Sequence, residues 1–288
     1  MNLKEFTEFC RQERAVGPDP QIDTILTLAE WGHSPQDTLW LIGCYGAHHC
    51  VPSAFAVWGE WRVDDPRIQT QLFWDWLEAH WEALPVRPEM RSHRMLEKRA
   101  RCLQDFNIWA REGHALDYQS YEEAWTHSIE FVKYYNRYMA IKVLEMVSRS
   151  VNPKTTLTDL RARNAWSPRK ALAAIWEVDH NPYSDDPADI AWAEDAANYL
   201  IAQLRTDGVE VNHFQLQVLL CEYREATEGT YYPGASLDEE LGYINIASEH
   251  FDPSAIYDAR NELFPHEHLG EKHGWNDVRK EKYEVFKA

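Results

Sequence analysis

The segment FVKYYNRYMAIKVLEM, residues 131–146, carries four side chains that could together bind an anion. Lys133 and Arg137 are four residues apart, which is one turn of the helix that this segment predicts, and Tyr138 and Lys142 follow on nearby faces. Two cations one turn apart can bind one anionic group beside an aromatic ring. Lys142 lies inside an apolar stripe, so either its stem carries the ammonium group out of the core or the ammonium group lines a pocket for an anionic substrate.

A second candidate lies in the stretch LQVLLCEYREATEGTYYPGASLDEELGYI, residues 216–244. A helix that ends near Arg224 leads into a Pro-Gly turn with two adjacent tyrosines, Tyr231 and Tyr232. Such rings could stack on a base or a nucleoside, and Glu222 and Asp238 could accept protons as general bases. The alternative is an ordinary turn whose aromatic side chains fill the junction between two helices.

Metal and nucleotide chemistry lack their usual signatures in this chain. The motifs GxxxxGK[ST], GxGxxG and HExxH are absent, so we predict no bound cofactor. Neighbouring His48 and His49 would leave a helix about 100° apart, which does not suit a closed zinc site. We therefore predict no metal site, either there or in the second group of candidate ligands, which comprises His266, Glu267, His268 and His273.

Charge is distributed unevenly along the 288 residues, although the formal net charge is −18. Residues 171–271 hold 21 acidic and three basic side chains, which accounts for the whole excess. Residues 131–170 hold nine basic and two acidic side chains. A protein with opposite charges in different regions can present a basic face to phosphates. The alternative is that the two segments are solvated helix faces that pair with each other.

Helix signals dominate the elements that must position these residues, so the predicted fold class is all-α with nine or ten helices. One long helix is predicted over about residues 118–148, where apolar residues recur at three- and four-residue steps. Ser236 is predicted to cap the helix that follows the tyrosine turn. Other helices should begin at Ser-Pro and Asp-Pro pairs, at Ser34-Pro35, Asp65-Pro66, Ser167-Pro168, Asp186-Pro187 and Asp252-Pro253.

We predict a single helical domain over residues 1–264, with a candidate lobe boundary near 150–185, and a polar C-terminal tail over 265–288. The five cysteines show no CxxC pair and are expected to be free thiols. No apolar run is long enough for a membrane span, and the charged N-terminal segment does not resemble a signal peptide. The sequence therefore favours a cytoplasmic protein that does not interact with membranes.

Three segments, CYGAHHCVPSAFAVWGEW, KYYNRYMAIKVLE and CEYREATEGTYYPGASLDEELGY, carry a resemblance to a known family. Over most of residues 20–245 the chain resembles the phage helical family linked to thymine hypermodification. That family includes amino acid:DNA transferases and the helical domain of 5-hydroxymethyluracil DNA kinases, earlier described as α-glutamyl/putrescinyl thymine pyrophosphorylases. The resemblance implies a two-lobed fold related to helical DNA glycosylases and, for a phage protein, a location in the host cell cytoplasm.

The resemblance also implies a reaction. The transferase replaces the pyrophosphate of 5-pyrophosphoryloxymethyluracil in DNA with the amine of an amino acid such as glycine, and kinase phosphate-binding motifs are absent here. Cations would hold the leaving group, and the candidates are Lys133, Arg137 and the catalytic Lys142, next to Tyr138. The implied partners are therefore DNA containing modified thymine and an amino-acid or amine donor.

The remaining roles implied by the resemblance fall on the tyrosine turn. Glu222 or Asp238 would be the general base that activates the amine. Tyr231 and Tyr232 would hold the extruded base, with Arg224 as the partner of a phosphate or carboxylate group.

Two other functions fit parts of the sequence. An acidic interaction protein or DNA mimic would use residues 171–271 to imitate a phosphate array and inhibit a host nucleic-acid-binding protein. A metal-dependent hydrolase would use His48, His49 or the histidines near the C-terminus. The first requires an exposed row of carboxylates, whereas an enzyme requires basic and aromatic residues that converge on a pocket.

Overall fold

The computed structural model describes residues 3–16, 19–135, 137–158, 166–232 and 234–264. Over these ranges the chain forms fourteen α-helices and no β-strand, which confirms the predicted all-α class. In chain order the helices are α1 (Leu3–Val16), α2 (Pro20–Ala29), α3 (Pro35–His48), α4 (Val51–Glu60), α5 (Gln71–Ala79), α6 (Leu96–Arg111), α7 (His114–Asp117), α8 (Tyr121–Phe131), α9 (Arg137–Ser150), α10 (Trp166–Ile175), α11 (Pro187–Thr206), α12 (His213–Thr227), α13 (Ala235–Ala247) and α14 (Ser254–Leu263). Short 3₁₀ helices cover Pro66–Gln69, Trp81–Ala83, Pro88–Arg94 and Pro153–Thr155.

The chain divides into two compact units, each of which is discontinuous in sequence. Unit 1 takes its described residues from positions 1–20, 157–238 and 264. Unit 2 comprises residues 21–156 and 239–263. The division falls within α13, between Asp238 and Glu239. The predicted polar tail, residues 265–288, lies outside the described residues.

Unit 2 is built around α3, which packs against α4, α6 and α9. The Ser34 side chain accepts the Asp37 N–H at the start of this helix, as the sequence predicts. Glycine allows the close packing, because a Cβ atom at Gly43 would lie 2.8 Å from Cβ of Phe106. Every residue of α3 from Leu39 to His48 is buried. This helix is therefore a rigid support for the side chains at its C-terminal end.

Unit 1 is built around α12, which packs against α1, α10 and α11. Its Tyr223 is 1% exposed and meets two phenylalanines of α1, with ring centroids 5.1 Å from Phe6 and 5.4 Å from Phe9. Asn212 caps α12 in a capping box with Gln215. The core of unit 1 therefore joins the N-terminal helix to helices that lie some 200 residues later in the chain.

The predicted long helix over residues 118–148 is wrong, because α8 ends at Phe131 and α9 begins at Arg137. Between them Tyr134 has a left-handed backbone, with φ 61°. Side chains from elsewhere hold the break: Asp105 accepts the Lys133 N–H at 2.9 Å, and an His93 ring nitrogen lies 3.0 Å from the Tyr134 carbonyl oxygen. These contacts satisfy backbone groups that a continuous helix would pair internally.

Two of the predicted caps are also wrong. Ser236 lies inside α13, which begins at Ala235, and Ser167 lies inside α10. The Ser236 hydroxyl bonds to Tyr231, and the Ser167 hydroxyl lies 3.4 Å from the Cys221 thiol, so both are used in side-chain contacts. The Asp186 prediction is confirmed, because that side chain accepts the Ala188 N–H at the start of α11.

All five cysteines are free, as predicted, and four of them are buried. Among the helices of the described ranges, none has the length and apolar character needed to cross a membrane.

Candidate functional site

The candidate site in unit 2 is a group of four side chains, His49, Arg87, Tyr138 and Lys142, which we name the cationic cluster. It forms at the sharp turn between α3 and α4. His49 ends α3 in a left-handed conformation, with φ 50°, and donates its backbone N–H to the Tyr45 carbonyl at 2.6 Å. The turn directs the chain immediately into α4 and places the His49 ring against aromatic neighbours.

Arg87 reaches the cluster from a loop between two prolines. Its backbone N–H donates to the His48 carbonyl at the C-terminal end of α3, over 3.3 Å. Ser53 on α4 donates to the Pro85 carbonyl at 2.7 Å and fixes the preceding residues of this loop. The Arg87 guanidinium is buried and forms an ion pair with Glu239. The position of this cation is therefore set by three separate segments of unit 2.

Lys142 and Tyr138 come from one turn of α9. Lys142 is 5% exposed, and its ammonium nitrogen lies 5.9 Å from the centre of the Tyr138 ring. Tyr138 is 48% exposed and meets the His49 ring edge-to-face at 5.5 Å. The Tyr45 ring also meets His49, at 5.6 Å, and its hydroxyl donates to Gln21. Tyr138 therefore connects the buried part of the cluster to solvent.

The positive charges of the cluster affect the pKa of His49. Burial lowers the pKa of this imidazole well below its ordinary value, and the charges of Arg87 and Lys142 lower it further. At neutral pH the ring is therefore uncharged and carries one nitrogen able to accept a proton. Two buried cations therefore lie near a neutral imidazole, and an anion bound here would share Arg87 with the Glu239 carboxylate that already pairs with it.

Only two of the four residues predicted from segment 131–146 lie together. Lys142 and Tyr138 belong to the cationic cluster, whereas Lys133 lies in the break before α9 and Arg137 is the first residue of that helix. Both of the latter side chains are exposed. The prediction that Lys133 and Arg137 pair on adjacent turns of one helix is wrong, because the helix is interrupted between them.

The predicted residues of the tyrosine turn lie in unit 1, around a buried group of side chains that we name the carboxylate cluster: Cys10, Glu13, Glu222 and Tyr231. Glu13 is fully buried on α1 and accepts the Gly234 N–H at 3.1 Å. The Tyr231 hydroxyl bonds to Glu222. Because of burial and of both carboxylates, the pKa values of Tyr231 and of the Cys10 thiol are well above their ordinary values.

Tyr231 is only 7% exposed, and its ring packs against Phe9 with a centroid distance of 6.4 Å. A base can therefore stack on Tyr231 only if this part of the turn opens. Tyr232 is more accessible, and its hydroxyl donates to Asp238 at 2.9 Å. The bond orients the Asp238 carboxylate at the hydroxyl end of the Tyr232 ring.

Arg224 contacts the aromatic ring of Trp166 and the carboxylate of the next residue. Its guanidinium lies 5.9 Å from the centre of the Trp166 ring and 3.5 Å from the adjacent Glu225 carboxylate. The nine predicted site residues thus form two groups. Five lie in unit 1, namely Glu222, Arg224, Tyr231, Tyr232 and Asp238, and four lie in unit 2, namely Lys133, Arg137, Tyr138 and Lys142.

The candidate metal ligands at the end of α3 have other contacts. His48 is fully buried and donates from Nδ1 to the Cys44 carbonyl at 2.8 Å, while His49 packs against two tyrosine rings. In the described parts of the chain, no three His, Cys, Asp or Glu side chains are grouped closely enough to hold a metal ion. The second group, from His266 to His273, lies outside those parts.

Sequence reasoning missed Arg87 and Glu13. Arg87 lies in LPVRPEM, where flanking prolines are the only local signal of a fixed loop. Glu13 occupies an inward-facing position of α1, and nothing in the helical pattern distinguishes it from a solvated glutamate. Both residues join their clusters through contacts with distant segments.

A scan against protein-family models finds no match for this chain, and a search of curated proteins finds none either.

Proposed function

We propose that this protein is an amino acid:DNA transferase. Its substrates would be 5-pyrophosphoryloxymethyluracil in DNA and an amino acid such as glycine, and its products would be a pyrimidine whose C5 methylene carries the amino acid through its nitrogen, together with pyrophosphate and a proton. The observation that carries the proposal is the proximity of two buried cations, Arg87 and Lys142, to neutral His49, next to half-exposed Tyr138. The resemblance of three sequence segments to the thymine-hypermodification family supplies the reaction.

The reaction requires charge stabilisation at the leaving group. The amine nitrogen forms a bond to the methylene carbon at C5 of the pyrimidine, and the bond from that carbon to the pyrophosphate oxygen breaks. Negative charge then develops on the pyrophosphate. In the proposed mechanism Arg87 and Lys142 bind that group, and their buried positions strengthen the interaction because little water screens it.

The attacking nitrogen must also lose a proton. We assign the proton to His49, whose imidazole is neutral at physiological pH. Burial and the charges of Arg87 and Lys142 weaken this base by lowering its pKa, and the negative charge of a pyrophosphate bound to the two cations would offset their part of that effect. Glu222 and Asp238, which are the bases predicted from the sequence, lie in unit 1 and stay as predictions to be tested separately. Tyr138 would stack on the extruded pyrimidine, since its ring is half exposed at the edge of the cluster.

The proposal requires DNA carrying modified thymine and an amine donor as partners, and it requires no cofactor. It also places the protein in the cytoplasm of a host cell, if a phage encodes it.

The test is a transfer assay on an oligonucleotide with one 5-pyrophosphoryloxymethyluracil, with glycine as donor. Pyrophosphate release and the mass of the modified nucleoside are measured together. We expect Lys142→Met to lower the transfer rate by about 10²–10³, the usual loss when one transition-state contact is removed. The matched control is Lys154→Met, which removes an exposed lysine of the same unit that contacts Gln119.

Each variant is first checked for native helical content and for cooperative unfolding. A folded Lys142→Met variant with the rate of the wild type would remove the cationic cluster from the mechanism. Absence of transfer by the wild-type protein with every amino acid and with simple diamines would reject the proposed reaction itself.

A further inference from the structure

Unit 1 carries an aromatic pocket whose lining residues belong to neither the cationic cluster nor the carboxylate cluster. Four of its lining residues, Trp192, Asp195, Ala196 and Tyr199, lie on one face of α11 at helical spacing. The fifth, Trp176, follows the last residue of α10. The pocket has a volume of about 360 Å³ and is open to solvent. Three aromatic rings and one carboxylate therefore surround a space of small-molecule size.

The rings form fixed walls. Those of Trp176 and Tyr199 meet at 71° with centroids 5.4 Å apart, so they make a corner. Trp192 packs against the His180 ring at 4.3 Å, and Arg169 holds that histidine from the other side through a contact of 2.8 Å between Nη2 and Nε2. Tyr199 is 57% exposed, so its ring is accessible to a ligand from solution.

The electrostatics of the pocket favour a cation. The aromatic ring faces carry partial negative charge, and Asp195 adds a full negative charge among them. Neighbouring acidic residues on α11 include Asp189 and Glu194. The surrounding sequence, residues 171–271, has 21 acidic and three basic side chains, so a positively charged ligand is attracted from solution as well.

We propose that this aromatic pocket binds a small quaternary ammonium ion of the size of choline. The lining is largely apolar and offers one carboxylate as its anionic acceptor. A primary ammonium is strongly hydrated and loses part of its hydration when it packs against aromatic rings, which costs free energy. Methyl groups on the nitrogen lower this cost, spread the positive charge over their surface and fill an aromatic corner.

This inference does not depend on the transferase activity, because all five lining residues belong to unit 1 and none belongs to the cationic or carboxylate cluster. The two proposals can therefore fail separately.

The test compares choline with 3,3-dimethyl-1-butanol, which has the same shape and no charge. Proton NMR of the ligand methyl groups is recorded while full-length protein is titrated. We expect saturable choline binding with an upfield shift of the N-methyl resonance, because ring currents act on protons held over aromatic faces. The neutral isostere should bind at least about tenfold more weakly.

Variants locate the binding site. Tyr199→Ala and Asp195→Asn change exposed side chains, so folding should persist, and each should weaken choline binding by about three- to tenfold. The control is Tyr183→Ala, which removes a 68% exposed tyrosine that stacks on Trp166 outside the pocket. Equal affinity for choline and its isostere, or unchanged affinity in both pocket variants, would overturn the proposal.

Discussion

At the scale of single residues, the ion pair between Arg260 and Glu240 lies in the interior of unit 2, with the two side chains 0% and 1% exposed. Removing one partner leaves the other charge without its main compensation in a low-dielectric interior. We expect Arg260→Met to lower the free energy of unfolding by about 3–5 kcal/mol. Urea denaturation measures the change.

The double variant Arg260→Met with Glu240→Leu provides the control. It removes both charges, so it should be clearly more stable than Arg260→Met alone. If the single and double variants lose the same stability, lost packing rather than the isolated charge would explain the effect.

His48 should make folding depend on pH. It is fully buried, and burial, the Arg99 charge and the His93 charge all lower its pKa well below the ordinary 6.5. Above pH 6.5 neither the folded nor the unfolded state protonates it, so its full contribution to stability is present. As the pH falls from about 6.5 toward the lowered folded-state pKa, only the unfolded state binds the proton, and stability is lost by up to about 1.4 kcal/mol per pH unit.

The measurement is urea denaturation of wild type and His48→Gln at pH 8, 7, 6 and 5. The variant should lose stability less steeply between pH 6.5 and 5, even if it is less stable throughout. His33→Gln, which alters an exposed histidine of the same unit, should retain the wild-type slope. A His48→Gln slope equal to that of wild type would exclude His48 as the titrating group.

At the scale of helices, replacing glycine with alanine should have opposite effects on stability at two positions. A Cβ at Gly43 in α3 would meet Phe106 at 2.8 Å, whereas a Cβ at Gly242 in α13 has no neighbour within 4 Å. We expect Gly43→Ala to destabilise the protein by about 1–3 kcal/mol. Gly242→Ala should stabilise it by about 0.5–1 kcal/mol, since alanine loses less backbone entropy in a helix.

Thermal unfolding of both variants checks this pair. A stabilising Gly43→Ala would mean that α3 and α6 can separate without cost, which contradicts the tight packing of α3.

Helix starts were predictable where the signal is local. Ser34 and Asp186 each accept an N–H two or three residues later, and the sequence shows both caps. The break between α8 and α9 was not predictable, because the side chain that accepts the Lys133 N–H comes from Asp105, 28 residues away. Apolar residues recur at three- and four-residue steps on both sides of the break, so their spacing does not reveal it. Long-range hydrogen bonds here override a local pattern.

At the scale of the whole molecule, the same distinction applies to the candidate sites. Lys142 was identifiable because a lysine inside an apolar stripe is unusual, and Tyr138 was identifiable by its position beside it. Arg87 joins them through a loop contact with His48 that no spacing reveals. The all-α class follows from composition and from the helical spacing of apolar residues. Each site, in contrast, is formed by segments that are distant in the sequence and meet only in the folded chain.

The final prediction concerns charge in the complex with DNA. A protein with net charge −18 should bind unmodified duplex weakly, and its affinity for pyrophosphorylated DNA should depend on the few cations that contact phosphate. Binding is measured by fluorescence anisotropy between 20 and 300 mM salt, with and without 5-pyrophosphoryloxymethyluracil. On modified DNA, Lys142→Met should reduce the slope of log K against log salt by about 1, because one phosphate contact is lost.

On unmodified DNA the slope for Lys142→Met should equal that of wild type. The control variant Lys154→Met should have the wild-type slope on both modified and unmodified DNA. Equal slopes for wild type and Lys142→Met on modified DNA would show that Lys142 does not contact the pyrophosphate. If wild type binds neither DNA at 20 mM salt, DNA is not the ligand of the cationic cluster.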